Sequence, residues 1–366
     1  MKTAVHNQGG RPGQQAVALI MVMLVVVALA VIAGGFAYSV RVETTLARNA
    51  GDDQEFEWLA QSGVEFTRYV LSQQFAIQEQ PYDAMNQFWA GRSFVTNDVF
   101  EGLSLTDVSL GRGSFSVAIT DLDRKFNINM ANEEVLMRAA DMIGIDLGDA
   151  GVIAHSILDW IDPDSDPHLN GVETDYYQSL DPPYICKDGP LDELSELLFV
   201  NGITEDMFFG SPPELLNPAG MTRLERFRLR QMHLPVYTNS FVNLFTTLGT
   251  GRVNINTVSS DVLQLLGFDE LQAQEIVTYR AGYDGQEGTE DDTPFTSPGE
   301  LAGALGIPAG GGGGVIAGMQ SVLGVRSVAF EVRVTCMIGD RARQRVARLA
   351  RRNADDVRVL YSYWTQ

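Results

Sequence analysis

The run from Ala16 to Tyr38 (AVALIMVMLVVVALAVIAGGFAY) carries no charge, and it limits the chain more than any other feature. About 20 apolar residues cross a bilayer as a helix, and this run exceeds the usual apolar core of a secretory signal peptide. Lys2 and Arg11 precede it, and Arg41 and Glu43 follow it. Basic residues on the leading side favour an N-terminus in the cytoplasm. Everything after Val40 is therefore expected on the far side of the membrane, as a large exported body on a single-pass anchor.

Composition narrows the partners. The chain holds 26 Lys+Arg against 47 Asp+Glu, a formal charge of -21. Such a field repels nucleic acid and attracts divalent cations. Cys186 and Cys336 are far apart without CxxC spacing, which argues against zinc. In an oxidising compartment they could pair, but that depends on a Cα separation that the sequence does not give. At 366 residues there is room for an anchor and two compact units.

No proline interrupts Arg41 to Gln74, and Phe56, Leu59, Ala60, Gly63, Thr67, Val70 and Leu71 recur at helical spacing. Glu55, Glu57, Glu65 and Arg68 take the other side. The spacing predicts one long helix, apolar first and amphipathic later, with a weak point at Ala50-Gly51-Asp52-Asp53 and an end before Pro81. Strand-like alternation follows at Arg92 to Val99 and Ser114 to Thr120. It returns at Ser327 to Met337, Arg343 to Leu349 and Val357 to Trp364, so an antiparallel sheet is expected to pack on the amphipathic half of the helix. The fold class read from this pattern is α+β.

The block between the two sets of strands is helical and repeats itself. Lys125-Phe126-Asn127-Ile128-Asn129 and Arg252-Val253-Asn254-Ile255-Asn256 each lead into a helix, a glycine (Gly144, Gly267) and a second helix. That order describes a helix-hairpin-helix unit. Closing pieces are expected at Leu191 to Val200 and Pro298 to Leu305, and a flexible joint at Gly310 to Gly314. A phosphate grip needs basic groups near the hairpin glycine. Here those turns carry Asp146, Asp149, Asp269 and Glu270, which favours packing or protein contact over a DNA-receptor role.

A denser motif follows the first hairpin. Asp162, Asp164, Asp166, His168, Asn170 and Glu173 sit at positions 1, 3, 5, 7, 9 and 12 of a loop with EF-hand spacing. Calcium takes six to eight oxygens, and this spacing lets one loop wrap it. The three aspartates and Glu173 would offer carboxylates, and His168 its backbone carbonyl. Pro167 stands where an EF-hand has glycine, so a true EF-hand turn is not expected. Asp159, Asp175, Asp188 and Asp192 lie near enough in sequence to complete the shell. A second acidic loop, with Asp284, Asp291 and Asp292 among glycines 282, 285 and 288, reads either as a second calcium loop or as a solvated turn. One or two calcium ions and no organic cofactor are expected. His6, His155, His168 and His233 form no HExxH, and the chain has no nucleophile elbow or P-loop, so an enzyme, including a calcium-dependent hydrolase, lacks support.

Taken together, the apolar helix, its long continuation and the terminal strands resemble type IV pilin-like proteins. The two Asn-Ile-Asn hairpins, the run Asp159 to Pro167 (DWIDPDSDP), Asp181-Pro182-Pro183-Tyr184 and Val359-Leu360-Tyr361 resemble specifically the minor pseudopilin K family of type II secretion. The resemblance implies a pilin-like fold with an all-α insert of two helix-hairpin-helix (SAM-like) units. It implies a leader at 1–16, a transmembrane helix at 17–40, the pilin-like helix and first strands at 41–120, the insert at 121–314 and the closing strands at 315–366. Such precursors are cut after a glycine by prepilin peptidase and methylated on the new amine. Here Ala16 precedes Val17-Ala18-Leu19-Ile20, and Gly13 is followed by two glutamines, so cleavage between Ala16 and Val17 is expected, with Gly13 the other choice. The fifth mature residue, usually glutamate, would then be Met21.

The resemblance further implies an inner-membrane protein with a periplasmic body, partnered by minor pseudopilins I and J and other pseudopilins. It implies no enzyme activity and no nucleic acid. In the family's mechanism the glutamate of an incoming subunit pairs with the N-terminal amine of the one above it. A subunit with Met21 at that position needs nothing above, which suits the tip of the filament and a role in starting it. A minor pilin of a type IV pilus is the alternative with the same architecture.

Overall fold

The computed structural model describes residues 12–92, 98–211, 237–306, 318 and 321–365. Helix α1 runs without interruption from Pro12 to Ala76. Residues 17–47 are exposed along its whole first half, and its most apolar stretch has a mean hydropathy of 3.1. It is long and apolar enough to cross a membrane. At the weak point expected at Ala50 to Asp53 the helix continues: Asp52 pairs with Arg341 at 3.1 Å and Asp53 with Arg343 at 2.7 Å, so it is tied down where its sequence is weakest.

The second half of α1 is the floor of the first core. Phe56, Leu59, Ala60, Val64, Val70 and Leu71 are buried, while Trp58, Gln61 and Glu65 face solvent. They pack on a five-stranded sheet of order β1-β2-β7-β8-β9. Its strands are β1 (Val108–Leu110), β2 (Gly113–Asp121), β7 (Ala329–Ile338), β8 (Arg341–Arg351) and β9 (Val357–Trp364), with β3 to β6 lying in the insert between β2 and β7. All its pairings are antiparallel. Along β7, Phe330, Val332, Val334, Cys336 and Ile338 alternate toward the helix, as strand periodicity requires. Gly63 lets the helix sit down on them, because a Cβ there would lie 2.4 Å from Val334 Cγ1.

Some expectations change. The stretch expected as a strand from Arg92 to Val99 ends in a short 3₁₀ turn, Asp98–Phe100, and residues 93–97 lie outside the described ones. Phe100 stacks on Phe88 at 4.5 Å, so the described end of this segment sets a ring in the core. Cys186 and Cys336 are buried free thiols in two separate cores and do not pair. Residues 1–11 and the run Gly310 to Gly314 are outside the described residues.

The insert has its own core and shows the repeat atom by atom. In the first copy, β3 (Phe126–Asn127) leads to α2 (Glu133–Ile143), a turn at Gly144 and α3 (Leu147–Ile161). It pairs in parallel with β4 (Phe245–Thr246). In the second, β5 (Val253–Asn254) leads to α4 (Ser260–Leu265), a turn at Gly267 and α5 (Glu270–Arg280), and pairs in parallel with β6 (Leu323–Gly324). Both turn glycines take left-handed backbone, φ 94° and 102°, which a side chain would oppose. Asn127 and Asn254 each accept the N–H two residues on, at 3.0 Å. The second asparagine of each pair then clamps a distant backbone. Asn129 accepts from Leu191 N–H at 2.7 Å and donates to its carbonyl at 3.0 Å. Asn256 does the same to Phe295 at 2.8 and 2.9 Å. The recurring Asn-Ile-Asn is thus a device for tying each hairpin to its closing segment. Arg138 joins the hairpins, donating to the Leu265 carbonyl at 3.1 Å.

A buried polar junction fixes the insert to the sheet. Asp121 Oδ2 accepts from Thr257 at 2.5 Å, Ser327 at 2.6 Å and Asn254 at 3.2 Å. Asp83 Oδ2 accepts the Ser327 N–H at 2.8 Å and pairs with the fully buried Arg351. Asp123 Oδ2 accepts the N–H groups of Val328 at 2.5 Å and Ala329 at 3.1 Å, where the chain returns to β7.

Two outcomes follow from this junction. Removing one member of a buried ion pair costs about 3–5 kcal/mol, because the other charge is stranded. Arg351→Met should lower the unfolding free energy of the body by about that amount, and a loss below about 1 kcal/mol would show that Asp83 finds another partner. Burial first, and then the charge of Asp121, push Asp123 up to about 7 from an ordinary value of 3.8. A carboxyl with a raised folded pKa contributes stability at low pH that is lost as pH rises through that value. Denaturant midpoints should therefore fall as pH climbs from about 4 to about 7, and Asp123→Asn should flatten part of the fall. An identical slope in the variant would show that Asp123 does not titrate there.

Candidate metal centre

The end of α3 and the loop after it bring acids together in a way that spacing alone did not specify. Asp159, in the last turn of α3, is fully buried. Asp162 caps that helix, Glu173 caps the short helix Thr174–Tyr177, and Asp188 is held on left-handed backbone at φ 49°. One donor atom each of Asp159, Asp162 and His168 lie within 4.8 Å of one another, and so do those of Glu173, Cys186 and Asp188. Gly171 permits this approach, since a Cβ there would lie 1.8 Å from Asp159 Oδ2.

The oxygens gathered here lack donors. Asp159 Oδ2, Asp162 Oδ1, both oxygens of Glu173 and Asp188 Oδ1 are buried and accept no hydrogen bond from the protein. Buried acceptors are almost always satisfied, and a cation could satisfy these five oxygens, which fall in the two donor groups. The electrostatics agree. Glu173 is pushed up to about 7, first by burial and then by Asp159, Asp188, Asp162 and Asp164. Asp162 is raised by burial and by Asp164 and Asp159. The Cys186 thiol is pushed up to about 12 by burial, which keeps it protonated. The donor set is therefore hard oxygen, the kind that suits calcium rather than zinc.

The sequence-predicted ligands separate into two groups. Asp162 and Glu173 belong to the cluster. Asp164 lies close enough to raise both, but its Oδ1 accepts the Asp166 N–H at 3.0 Å in a local turn. Asp166 and Asp175 are exposed and belong to neither donor group. The His168 carbonyl accepts the Gly171 N–H at 3.0 Å, so it is not offered inward as in an EF-hand. Its ring bonds Asp159 instead, at 2.5 Å, and that bond raises the His168 pKa. Of the four neighbouring acids, Asp159 and Asp188 complete the cluster, while Asp192 pairs with Lys187 at 2.7 Å.

The loop carrying Asp284, Asp291 and Asp292 is occupied by its own backbone. Asp291 Oδ2 accepts from Tyr283 at 2.7 Å and Asp284 at 3.0 Å, and Asp292 Oδ2 accepts from Gly288 at 2.7 Å. Asp284 Oδ1 accepts from Gln286 at 2.7 Å. Hydrogen bonds, led by Thr289, lower the Asp291 pKa, the mark of a satisfied carboxylate. Elsewhere, His155 bridges Glu133 at 3.2 Å and the Asn170 N–H at 3.2 Å, tying the metal loop to α2. Ala16, Val17 and Met21 lie on the free half of α1, where Val17 and Met21 are exposed.

Known proteins share this architecture. Residues 117–209 match the family described as type II secretion system protein K. The type II secretion system protein K of Klebsiella pneumoniae is 26% identical over 53% of this chain and 60% of its own length. That of Pectobacterium carotovorum is 26% identical over 70% of this chain and 81% of its own. A chain of the solved GspK–GspI–GspJ complex from enterotoxigenic Escherichia coli superposes with a TM-score of 0.60 at 16% identity, covering 87% of this chain and 99% of that one. The match to the Klebsiella relative spans less than two thirds of that protein. The family profile falls on the segment that holds β2, the first hairpin and most of the acid cluster, and the fold is similar along nearly the whole chain, so in sequence over that segment and in fold the chain resembles the type II secretion system protein K family.

Proposed function

We propose that the protein is a minor pseudopilin that joins minor pseudopilins I and J at the outer end of a type II secretion pseudopilus, starts its assembly and caps it. The observation that carries the reading is the shared fold with a chain of the GspK–GspI–GspJ complex. The body also suits it: a helix half free and half packed on an antiparallel sheet is the pilin-like plan, and the insert grows from the sheet between β2 and β7. The free half of α1 anchors the chain in the inner membrane with its body in the periplasm. The two glycine turns, read as helix-hairpin-helix units, serve packing here: Arg138, beside Gly267, is engaged by Leu265 and Glu134.

Two chemical features complete the proposal. Prepilin peptidase cuts between Ala16 and Val17 and the new amine is methylated. Met21, replacing the usual glutamate, needs no amine above it, since no charge is left buried. A calcium ion sits among Asp159, Asp162, Glu173 and Asp188, whose orphaned oxygens fit a hard cation. Calcium there supplies charge neutralisation, and the residues hold the loop against α3.

Immunogold labelling should find a few copies at the end of the filament furthest from the membrane, and co-purification from native membranes should retain I and J. Labels spaced along the shaft would overturn the tip position. Mass spectrometry of the mature N-terminus should begin at methylated Val17, and an intact Met1 would refute the processing step. For the metal, 100-fold excess of calcium over its Kd should stabilise the body by about 2.7 kcal/mol. Without calcium, the raised Glu173 makes stability decline as pH rises through about 7, and calcium should remove that decline. Asp159→Asn with Glu173→Gln should abolish the calcium effect, and a melting temperature indifferent to chelator would sink the site.

A further inference from the structure

The insert and the outer face of the sheet enclose a cleft of about 410 Å³. That lies within the range of sites that hold a specific ligand, about 300–1,000 Å³. From the sheet it is lined by Thr120, Glu331, Arg333, Arg348, Tyr361 and Tyr363. From the insert come Lys125, Ser195, Phe208, Val242, Phe245 and Thr247. It is separate from the acid cluster, and the reading above makes no use of it.

Its charges are unlike those of the rest of the chain. Lys125, Arg333 and Arg348 face Glu193 and Glu331, a positive excess inside a protein of net charge -21. Two of the cations are under-used. The Lys125 ammonium has three donors, and among the described residues it makes one hydrogen bond, to the Val242 carbonyl at 2.6 Å, and no ion pair. Arg348 pairs with Glu331 at 2.7 Å, but Glu331 is shared with Arg333, and the Arg348 Nε is buried with no acceptor. A buried donor left unpaired is costly, so both groups favour an occupant that brings oxygen atoms. Burial, and then Arg124, also lower the Lys125 pKa, a strain that a neighbouring carboxylate would relieve.

The other walls describe what carries that carboxylate. Phe208, Val242 and Phe245 give an apolar surface, and the Tyr361 and Tyr363 rings lie nearly parallel, 16° apart, on β9. Strand β9 is the edge of the sheet. The cleft is thus bordered along an edge strand, where an extended backbone is readily accommodated. We propose that this cleft binds an extended acidic peptide segment of a partner protein, with a carboxylate held by Lys125 and Arg348 and an apolar side chain seated on Phe208 and Tyr361. A free small anion would use the two cations but not the apolar wall.

The test is fluorescence anisotropy of the full chain in detergent with a labelled octapeptide of alternating aspartate and phenylalanine. A peptide with lysine for aspartate, and sodium acetate as competitor, serve as controls. The acidic peptide should bind at least about tenfold more tightly than the lysine peptide. Lys125→Met and Arg348→Gln should each weaken it about tenfold. Ser195 is exposed, so Ser195→Glu leaves the fold intact and should also weaken binding by repulsion. Circular dichroism melts identify any variant that fails to fold, and Ser195→Glu then decides alone. No binding of the acidic peptide, equal binding of both peptides, indifference to all three variants, or full displacement by equimolar acetate would each overturn the proposal.

Discussion

The architecture depends on the buried junction around Ser327. The sheet and the insert are two cores, and the chain passes between them after Asp121 and again before Ala329. Three carboxylates, Asp83, Asp121 and Asp123, converge there, and the buried guanidinium of Arg351 pairs with Asp83. Asp121 and Asp123 are raised above the usual carboxylate range mainly by burial. Satisfaction decides whether such a network is favourable, and here Asp83 Oδ2, both oxygens of Asp121 and Asp123 Oδ2 accept from backbone N–H, hydroxyl, amide or guanidinium groups, while Arg351 Nε is left without an acceptor. The insert is therefore held by directed bonds, which set its angle to the sheet more tightly than apolar contact would.

Much of this was legible in the sequence. Strand periodicity located β2, β7, β8 and β9, most clearly in β7, where every second residue from Phe330 to Ile338 is buried against the helix. The helical repeat was visible as Asn-Ile-Asn with its glycine turn, and its cause emerged only with the bidentate clamps of Asn129 and Asn256. The strand expected from Arg92 to Val99 falls mostly on residues outside the described ones, and its described end is a short turn that leads to Phe100, a ring set in the core. Helix propensity at Ala50 to Asp53 was overridden by the arginines of β8, which no local window includes.

The acid cluster shows the limit of spacing. EF-hand spacing named Asp162 and Glu173, which the structure places in two adjoining donor groups, whereas a linear template assumes that one loop wraps the ion. Pro167 denies that turn, and the chain gathers Asp159 from a helix and Asp188 from a later loop instead. Asp159 is fully buried and Asp188 has a buried Oδ1, features invisible in sequence, while Asp175 and Asp192, equally near along the chain, are exposed.

One feature of α1 has a mechanical consequence. Its 65 residues form a single rod of roughly 100 Å at 1.5 Å per residue, with no joint between the apolar half and the sheet. A body so mounted cannot swivel independently of its anchor. Each added residue between Tyr38 and Asp52 would lift the sheet by ~1.5 Å and turn it by about 100°, so the length of that bare segment sets the compass bearing of every surface above it. The acid–arginine ladder of Asp52 with Arg341 and Asp53 with Arg343 is where the rod is bolted to the load, so a turn of the rod about its axis turns the sheet with it.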